Sequence, residues 1–257
     1  ETLCGVALSD AKRGLLSGRL QARLRQLAIS SFAEYLRRVR QDPDEQQQLI
    51  ESLLTHQTEL FRERRHFDRV QREYFPRWIT EGEANRRPRH VRALSAGCST
   101  GEEAWSLALW LRAAFPERRS WQVSVLGLDL SESVLQRARR PRWTEAQIAA
   151  VPDTLRGEVV RDRDAFVPTE LLQRIVQFRS ANLTQPLPPA IGRFDLIFCR
   201  NVLIYFAPAT RVTVVRGLCK QLDPRGVLVL GHSEGSLAIP ELLEKRGHSI
   251  FEIKGRS

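Results

Sequence analysis

Methionine is missing from all 257 residues, position 1 included, so the chain is expected to be trimmed at its start. Lysine is nearly missing as well: Lys12, Lys220, Lys245 and Lys254 stand among 40 basic residues, and the rest are arginine. Cysteine is scarce, and Cys4, Cys98, Cys199 and Cys219 form no CxxC pair, which argues against a zinc site of that kind and against a disulfide framework. Reduced thiols in a cytoplasmic protein without a metal are the expectation. No apolar run reaches the roughly 18 residues that a membrane-spanning helix takes, and the start lacks the basic, apolar and small-residue regions of a secretory leader. A globular protein without membrane insertion is therefore expected, and nothing in the sequence demands more than a monomer. Acidic residues are outnumbered, 30 against 40, leaving a net charge of +10. Such a balance favours an acidic partner, whether nucleic acid, an anionic membrane or an acidic protein surface, unless it only reflects an arginine-biased codon composition.

What is present divides into two rhythms. Over residues 9 to 40, Leu16, Leu20, Leu24 and Leu27 recur at helical spacing, with Arg19 and Arg23 four apart on another face. A second helix is predicted from Ser30 or Ser31 with Phe32, Leu36 and Val39 inward, and a third over "DEQQQLIESLL". "RRHFDRVQREYFPRWI" reads as a helix leading out of this region and stopping near Pro76. The division predicted is a helical domain over 1–70, a linker helix over 71–90 and a second domain over 91–257. From residue 91, short apolar strands alternate with helices, which predicts an α/β fold: a mostly parallel, Rossmann-like sheet with helices on both faces. The Pro- and charge-rich stretch from about 140 to 174 breaks the alternation and reads as an inserted subdomain.

"LSAGCSTGEEAWSLALWL" places a glycine turn, Gly97-x-Ser99-x-Gly101, between a strand and a helix, where the backbone can approach a small ligand closely. The third glycine of a dinucleotide fingerprint and the Gly-Lys-Ser/Thr ending of a phosphate loop are both missing. Glu102 and Glu103 stand at the helix start instead, where carboxylates repel phosphates and favour a cationic ligand. S-adenosylmethionine, with a sulfonium and an ammonium, suits this turn better than NAD or ATP. Thr100 and Glu103 could alternatively form a T-x-x-E capping box. The next strand ends "LGLDLS", putting Asp129 where a carboxylate can accept both ribose hydroxyls, or simply cap a helix. In "FDLIFCRNVLIYF", the Cys199-Arg200-Asn201 break and Tyr205 follow a buried strand, a place for adenosine or substrate contacts, although a core tyrosine satisfying its own hydroxyl is the alternative.

Those strings, together with "THQTELFRERRHFD", "LDLSESVLQRAR", "LVLGHSEG" and "RLQARLRQLAISSFAEYL", resemble the CheR family of S-adenosylmethionine-dependent methyltransferases of bacterial chemoreceptors, in the family's order over nearly the whole chain. The resemblance implies that Thr58, Arg62, Gly97, Glu103, Asp129, Asn182, Leu183, Arg200 and Asn201 line the cofactor site, with His56 where members often carry Asn. Arg62 would pair with the methionine carboxylate, a charge-assisted bond of about 1.5–3 kcal/mol that wants Arg rather than Lys. Ala104-Trp105 replaces the usual Pro-Tyr, so any hydroxyl role there is lost. The insertion normally forms a small β-subdomain that in some members docks a receptor tail; here it is recognisable only at "RPRW", and docking is not carried over.

The reaction so implied is methyl transfer to a glutamate side chain of a chemoreceptor's acidic, helical cytoplasmic domain, forming a methyl ester. Tyr205 would lie beside the transferred methyl, and Arg19 and Arg23 would read the acidic receptor surface. Two rivals stand beside it. A nucleic-acid methyltransferase would need an N/D-P-P-Y/F loop where this chain has Arg200-Asn201-Val202, so no nucleic-acid partner is expected. A non-catalytic S-adenosylmethionine-binding module that regulates a signalling partner would keep the cofactor residues and methylate nothing.

Overall fold

The computed structural model describes residues 10–53, 57–235 and 239–255. Three helices come first: α1 (Asp10–Gln26), α2 (Phe32–Gln41) and α3 (Pro43–Leu53). Ser31 starts α2 because its hydroxyl accepts the Glu34 amide, and the Asp42 carboxylate accepts the amides of Asp44 and Glu45 at the start of α3. Leu24, Tyr35 and Val39 form their shared core, with Leu20, Leu27, Ile29 and Leu49 packed around it; the Leu16 side chain lies outside the described residues.

Val39 faces inward as predicted, but Phe32 and Leu36 do not: they are 42% and 48% exposed. Tyr35 takes the inward position with Val39, against Leu24, and its buried hydroxyl is satisfied by donating to the buried Glu45 carboxylate at 2.8 Å.

Helix α4 (Arg65–Glu83) runs through Pro76 instead of stopping there. An interior proline costs about 3 kcal/mol, whereas each large apolar side chain fully buried returns about 1.5–3 kcal/mol, and Phe67, Val70, Tyr74, Phe75 and Trp78 are all buried on one face. A boundary at residues 70 and 71 falls inside this helix.

A seven-stranded sheet follows, in the order β5-β2-β1-β6-β7-β9-β8. Its members are β1 (His90–Ala96), β2 (Gln122–Asp129), β5 (Val176–Ser180), β6 (Phe194–Cys199), β7 (Leu222–Leu230), β8 (Leu243–Gly247) and β9 (Ile250–Ile253). The first five strands in that spatial order pair in parallel, while β9 is antiparallel to both β7 and β8. Helices α5 (Glu102–Ala114), α6 (Glu132–Arg139) and α9 (Pro208–Gln221) are the crossovers.

Strand alternation sorts the core into two layers. Val91 and Ala93 of β1 join the layer of α4 and α5, whereas Leu94 and Ala96 join the layer of α9. The inserted stretch holds α7 (Glu145–Ile148), an antiparallel pair of β3 (Val159–Asp162) with β4 (Ala165–Pro168), and α8 (Glu170–Arg174). Trp143 adds one bridge to Phe166 and packs edge-on against Trp105, tying the insertion to α5. The strand β8, "LEKRG", lacks the apolar alternation that marks the others and was not foreseen from the sequence.

Candidate functional site

The carboxyl ends of β1, β2, β5 and β6 meet on one side of the sheet, and the chain order reverses between β1 and β6. This is where an open α/β sheet leaves a crevice for ligands. A cleft lies there. Thr58, Arg62, Gly97, Glu103, Asp129, Asn182, Leu183, Arg200, Asn201 and Tyr205, scattered over nearly 150 residues of sequence, all line it. His56 falls outside the described residues.

The glycine turn owes its shape to three positive φ angles, +80° at Gly97, +50° at Ser99 and +96° at Gly101. A Cβ at Gly97 would overlap Val202, and one at Gly101 would come within 2.8 Å of the Ala138 Cβ. Gly101 itself is the N-cap residue of α5, so the T-x-x-E capping box does not form. Thr100 instead donates to the Glu102 carboxylate at 2.6 Å, and Glu103 turns toward the sheet.

There the Glu103 carboxylate accepts the Ser95 hydroxyl at 2.7 Å and stands 3.3 Å from Arg200 Nε. Period-two alternation explains the meeting, because Ser95 follows Val91 and Ala93 on the α5 side of β1. Arg200, two residues after Phe198, emerges on the same side of β6. Burial pushes the Glu103 carboxyl up, while Arg200 and the Ser95 hydroxyl pull it down. The Arg200 guanidinium lies over Phe67 and Phe198 and donates from Nη2 to the Arg62 carbonyl at 2.6 Å.

Arg62 sits on a tight loop with positive φ at Phe61 and Glu63. The buried Ser106 hydroxyl pins that loop to α5 by accepting the Phe61 amide at 2.8 Å while donating to the Glu102 carbonyl. Across the cleft, the Asp129 carboxylate accepts the amides of Ser99 and Ser131, which ties the glycine turn to the end of β2. The Asn182 side-chain oxygen accepts the amide and hydroxyl of Thr184, which shapes the loop after β5. Tyr205 closes a short 3-10 turn, Leu203–Tyr205, at the cleft's rim.

Trp105 is buried and donates to the Ala138 carbonyl at 2.9 Å, so it fastens α5 to α6 and stays out of the cleft. Arg19 and Arg23 stand apart from the cleft on α1. Arg19 is exposed and donates to the Ser52 carbonyl. Arg23 sends two nitrogens to the Glu45 carboxylate at 2.9 and 2.7 Å, an internal fork, and its third nitrogen donates to the Gln26 side-chain oxygen at 3.3 Å.

Two family models match in tandem: the CheR methyltransferase all-alpha domain over residues 1–54 and the CheR methyltransferase SAM-binding domain over residues 56–250. The chain belongs to the CheR methyltransferase family. The chemotaxis protein methyltransferase of Borreliella burgdorferi is 34% identical over 235 residues, covering 90% of this chain and 83% of that protein. The Salmonella typhimurium and Escherichia coli chemotaxis protein methyltransferases are 33% and 32% identical, each covering 97% of this chain and 85% and 86% of their own length.

S-adenosylmethionine is accordingly the cofactor of this CheR chain, and the cleft's chemistry fits it. Among the described residues, Ser99 Oγ, Asn201 Oδ1 and Arg200 Nη1 are buried without a hydrogen-bond partner, and each belongs to a residue that lines the cleft. Buried polar atoms of that kind await a ligand's donors and acceptors. No helix of the described residues is long and apolar enough to cross a membrane.

Sequence reasoning missed Ser95, which hydrogen-bonds Glu103, and Ser106, which bonds Phe61 and Glu102; neither lines the cleft. Among residues that do line it, Ser99 and Val202 were named only as parts of their motifs, and Gln57, Leu130 and Phe206 were missed. Their adjacency to named motif residues was the only signal available.

Proposed function

We propose that this chain methylates glutamate side chains on the acidic helical cytoplasmic domain of a chemoreceptor, forming methyl esters, and acts in the cytoplasm as a monomer. The observation that carries the reading is the single cleft gathering Arg62, Glu103, Asp129, Asn182, Arg200, Asn201 and Tyr205 in a chain related to chemotaxis protein methyltransferases. Arg62, with Arg200 behind it, would hold the cofactor's carboxylate, and Glu103 would face its ammonium. Asp129 would take the ribose hydroxyls, while Gly97 allows the close backbone approach. Asn182, Leu183 and Asn201 would border the adenosine. His56 belongs to the same proposed set, next to Thr58.

Bound S-adenosylmethionine supplies a methyl group on a sulfonium, whose sulfur leaves as a neutral thioether. The receptor glutamate, with a reference pKa of about 4.3, is already ionised at neutral pH, so the chain needs no general base. Its task is to align the incoming carboxylate and strip it of water, and alignment of that kind lowers barriers by up to about 7–11 kcal/mol. Tyr205 at the rim would orient the carboxylate. Arg19, exposed on α1, would read the receptor's acidic surface, whereas the fork between Arg23 and Glu45 makes Arg23 the weaker of the two candidates.

Incubation with methyl-labelled S-adenosylmethionine and receptor cytoplasmic fragments, with RNA in a parallel tube, tests the reading. Base-labile label on the fragment is the expected result. Stable label on RNA, or cofactor binding with no label in either tube, would overturn it.

A further inference from the structure

We propose that Glu234 is a positioning residue for methyl transfer, holding the cofactor-facing turn at Asn201 and the Tyr205 turn in register; the inference rests on the function proposed above. Glu234 sits on a short 3-10 turn, His232–Glu234, directly after β7, and is fully buried. Its Oε2 accepts the amides of Gly231 at 2.8 Å and Asn201 at 2.7 Å, and its Oε1 accepts the Ile204 amide at 3.2 Å. All three donors are backbone groups, so the carboxylate fixes where the chain runs.

The strand register makes this reach possible. Cys199 of β6 pairs with Leu230 of β7, so Asn201 and Gly231 leave the sheet side by side. Asn201 holds a left-handed φ of +59°, a conformation that asparagine adopts more readily than most non-glycine residues. Gly231 completes the arrangement, because a Cβ there would overlap Glu234 Oε2 and approach the Asn201 nitrogen to 2.9 Å. Between the two anchored amides, Asn201 and Val202 line the cleft, and one residue beyond Ile204 so does Tyr205. One buried carboxylate thus spans the side that faces the cofactor and the side that faces the incoming glutamate.

Glu234→Gln keeps the shape of the side chain. With its oxygen on Gly231 and Asn201, its amide group would confront the Ile204 N–H, so the Tyr205 turn should loosen while the Asn201 turn holds. Three readouts are expected to move differently. kcat for receptor methylation falls at least about tenfold, cofactor Kd measured by calorimetry stays within about twofold, and hydrogen exchange accelerates over residues 203–206 but not over β1. Unchanged exchange over 203–206, or kcat and Kd worsening in step, would overturn the proposal. If the unmodified protein binds cofactor yet labels no receptor fragment, the proposed function falls, and the exchange comparison still decides whether Glu234 holds the turn.

Discussion

Arg200 Nε stands 3.3 Å from the Glu103 carboxylate, with only 2% of one side chain and 12% of the other open to solvent. The pair joins the end of β6 to the first turn of α5, across the point where the sheet reverses its strand order. A buried pair of this kind is retained here for its placement, since mutual attraction does little more than offset the cost of removing both charges from water.

Removing one member should therefore be severe. Glu103→Gln leaves the Arg200 charge uncompensated, and a loss of about 3–5 kcal/mol is expected in chemical denaturation. Cofactor affinity, read by calorimetry, should fall at least tenfold, by about 1.4 kcal/mol or more. Ser95→Ala, which removes one hydrogen bond and leaves the ion pair, should cost only about 1 kcal/mol.

Tyr205→Phe should weaken turnover more than cofactor binding. The phenyl ring can keep its place at the rim, and only the hydroxyl is lost. Initial rates at saturating cofactor alongside a cofactor titration provide the check; equal losses in both would remove Tyr205 from the reacting end of the cleft.

His66 gives the fold a built-in acid sensitivity. It is buried beside Glu63, and burial together with the nearby Arg200 charge lowers its pKa from 6.5 to about 4. The unfolded chain takes up this proton below 6.5 and the folded one only near 4, so stability is intact above 6.5 and declines as pH falls between those values. The full effect amounts to about 3 kcal/mol. His66→Leu should flatten that part of the curve of denaturation midpoint against pH.

Arg23 and Arg19 should separate in their effects. Arg23→Ala strands the buried Glu45 carboxylate with only the Tyr35 hydroxyl, and a loss on the order of 2 kcal/mol is expected; it is smaller than for a sealed pair because Arg23 is about one third exposed. Arg19→Glu should change stability by no more than about 0.5 kcal/mol while raising the KM for a receptor fragment. Thermal denaturation and substrate titration of the two variants test the contrast.

Much of the cleft was legible because its chemistry is carried by short continuous strings at strand ends. The glycine turn with Glu103, the aspartate that ends "LGLDL" and the Arg200-Asn201 break each sit where a strand hands over to a helix. Alternation of apolar residues marks such places without reference to the rest of the chain. The inward face of α2 was not legible. The spacing of Phe32, Leu36 and Val39 pointed one way, whereas the face that packs against α1 carries Tyr35 and Val39, with the Tyr35 hydroxyl satisfied by Glu45 on a different helix. Pro76 misled for a similar reason, since the aromatic packing that offsets its cost lies partly on α5. The polar strand β8 owes its existence to pairing with β9 and carries no pattern of its own.

The helical start, the parallel sheet, the glycine turn and the family to which they belong were readable from the sequence alone, because each is written in local periodicity or in a contiguous motif. That Ser95 meets Glu103, that Arg23 is held by Glu45 and that Glu234 accepts the amides of Asn201 and Ile204 emerges from the three-dimensional packing. Those contacts depend on strand register and helix rotation, which are set by burial summed over the whole core and cannot be read from any one stretch of residues.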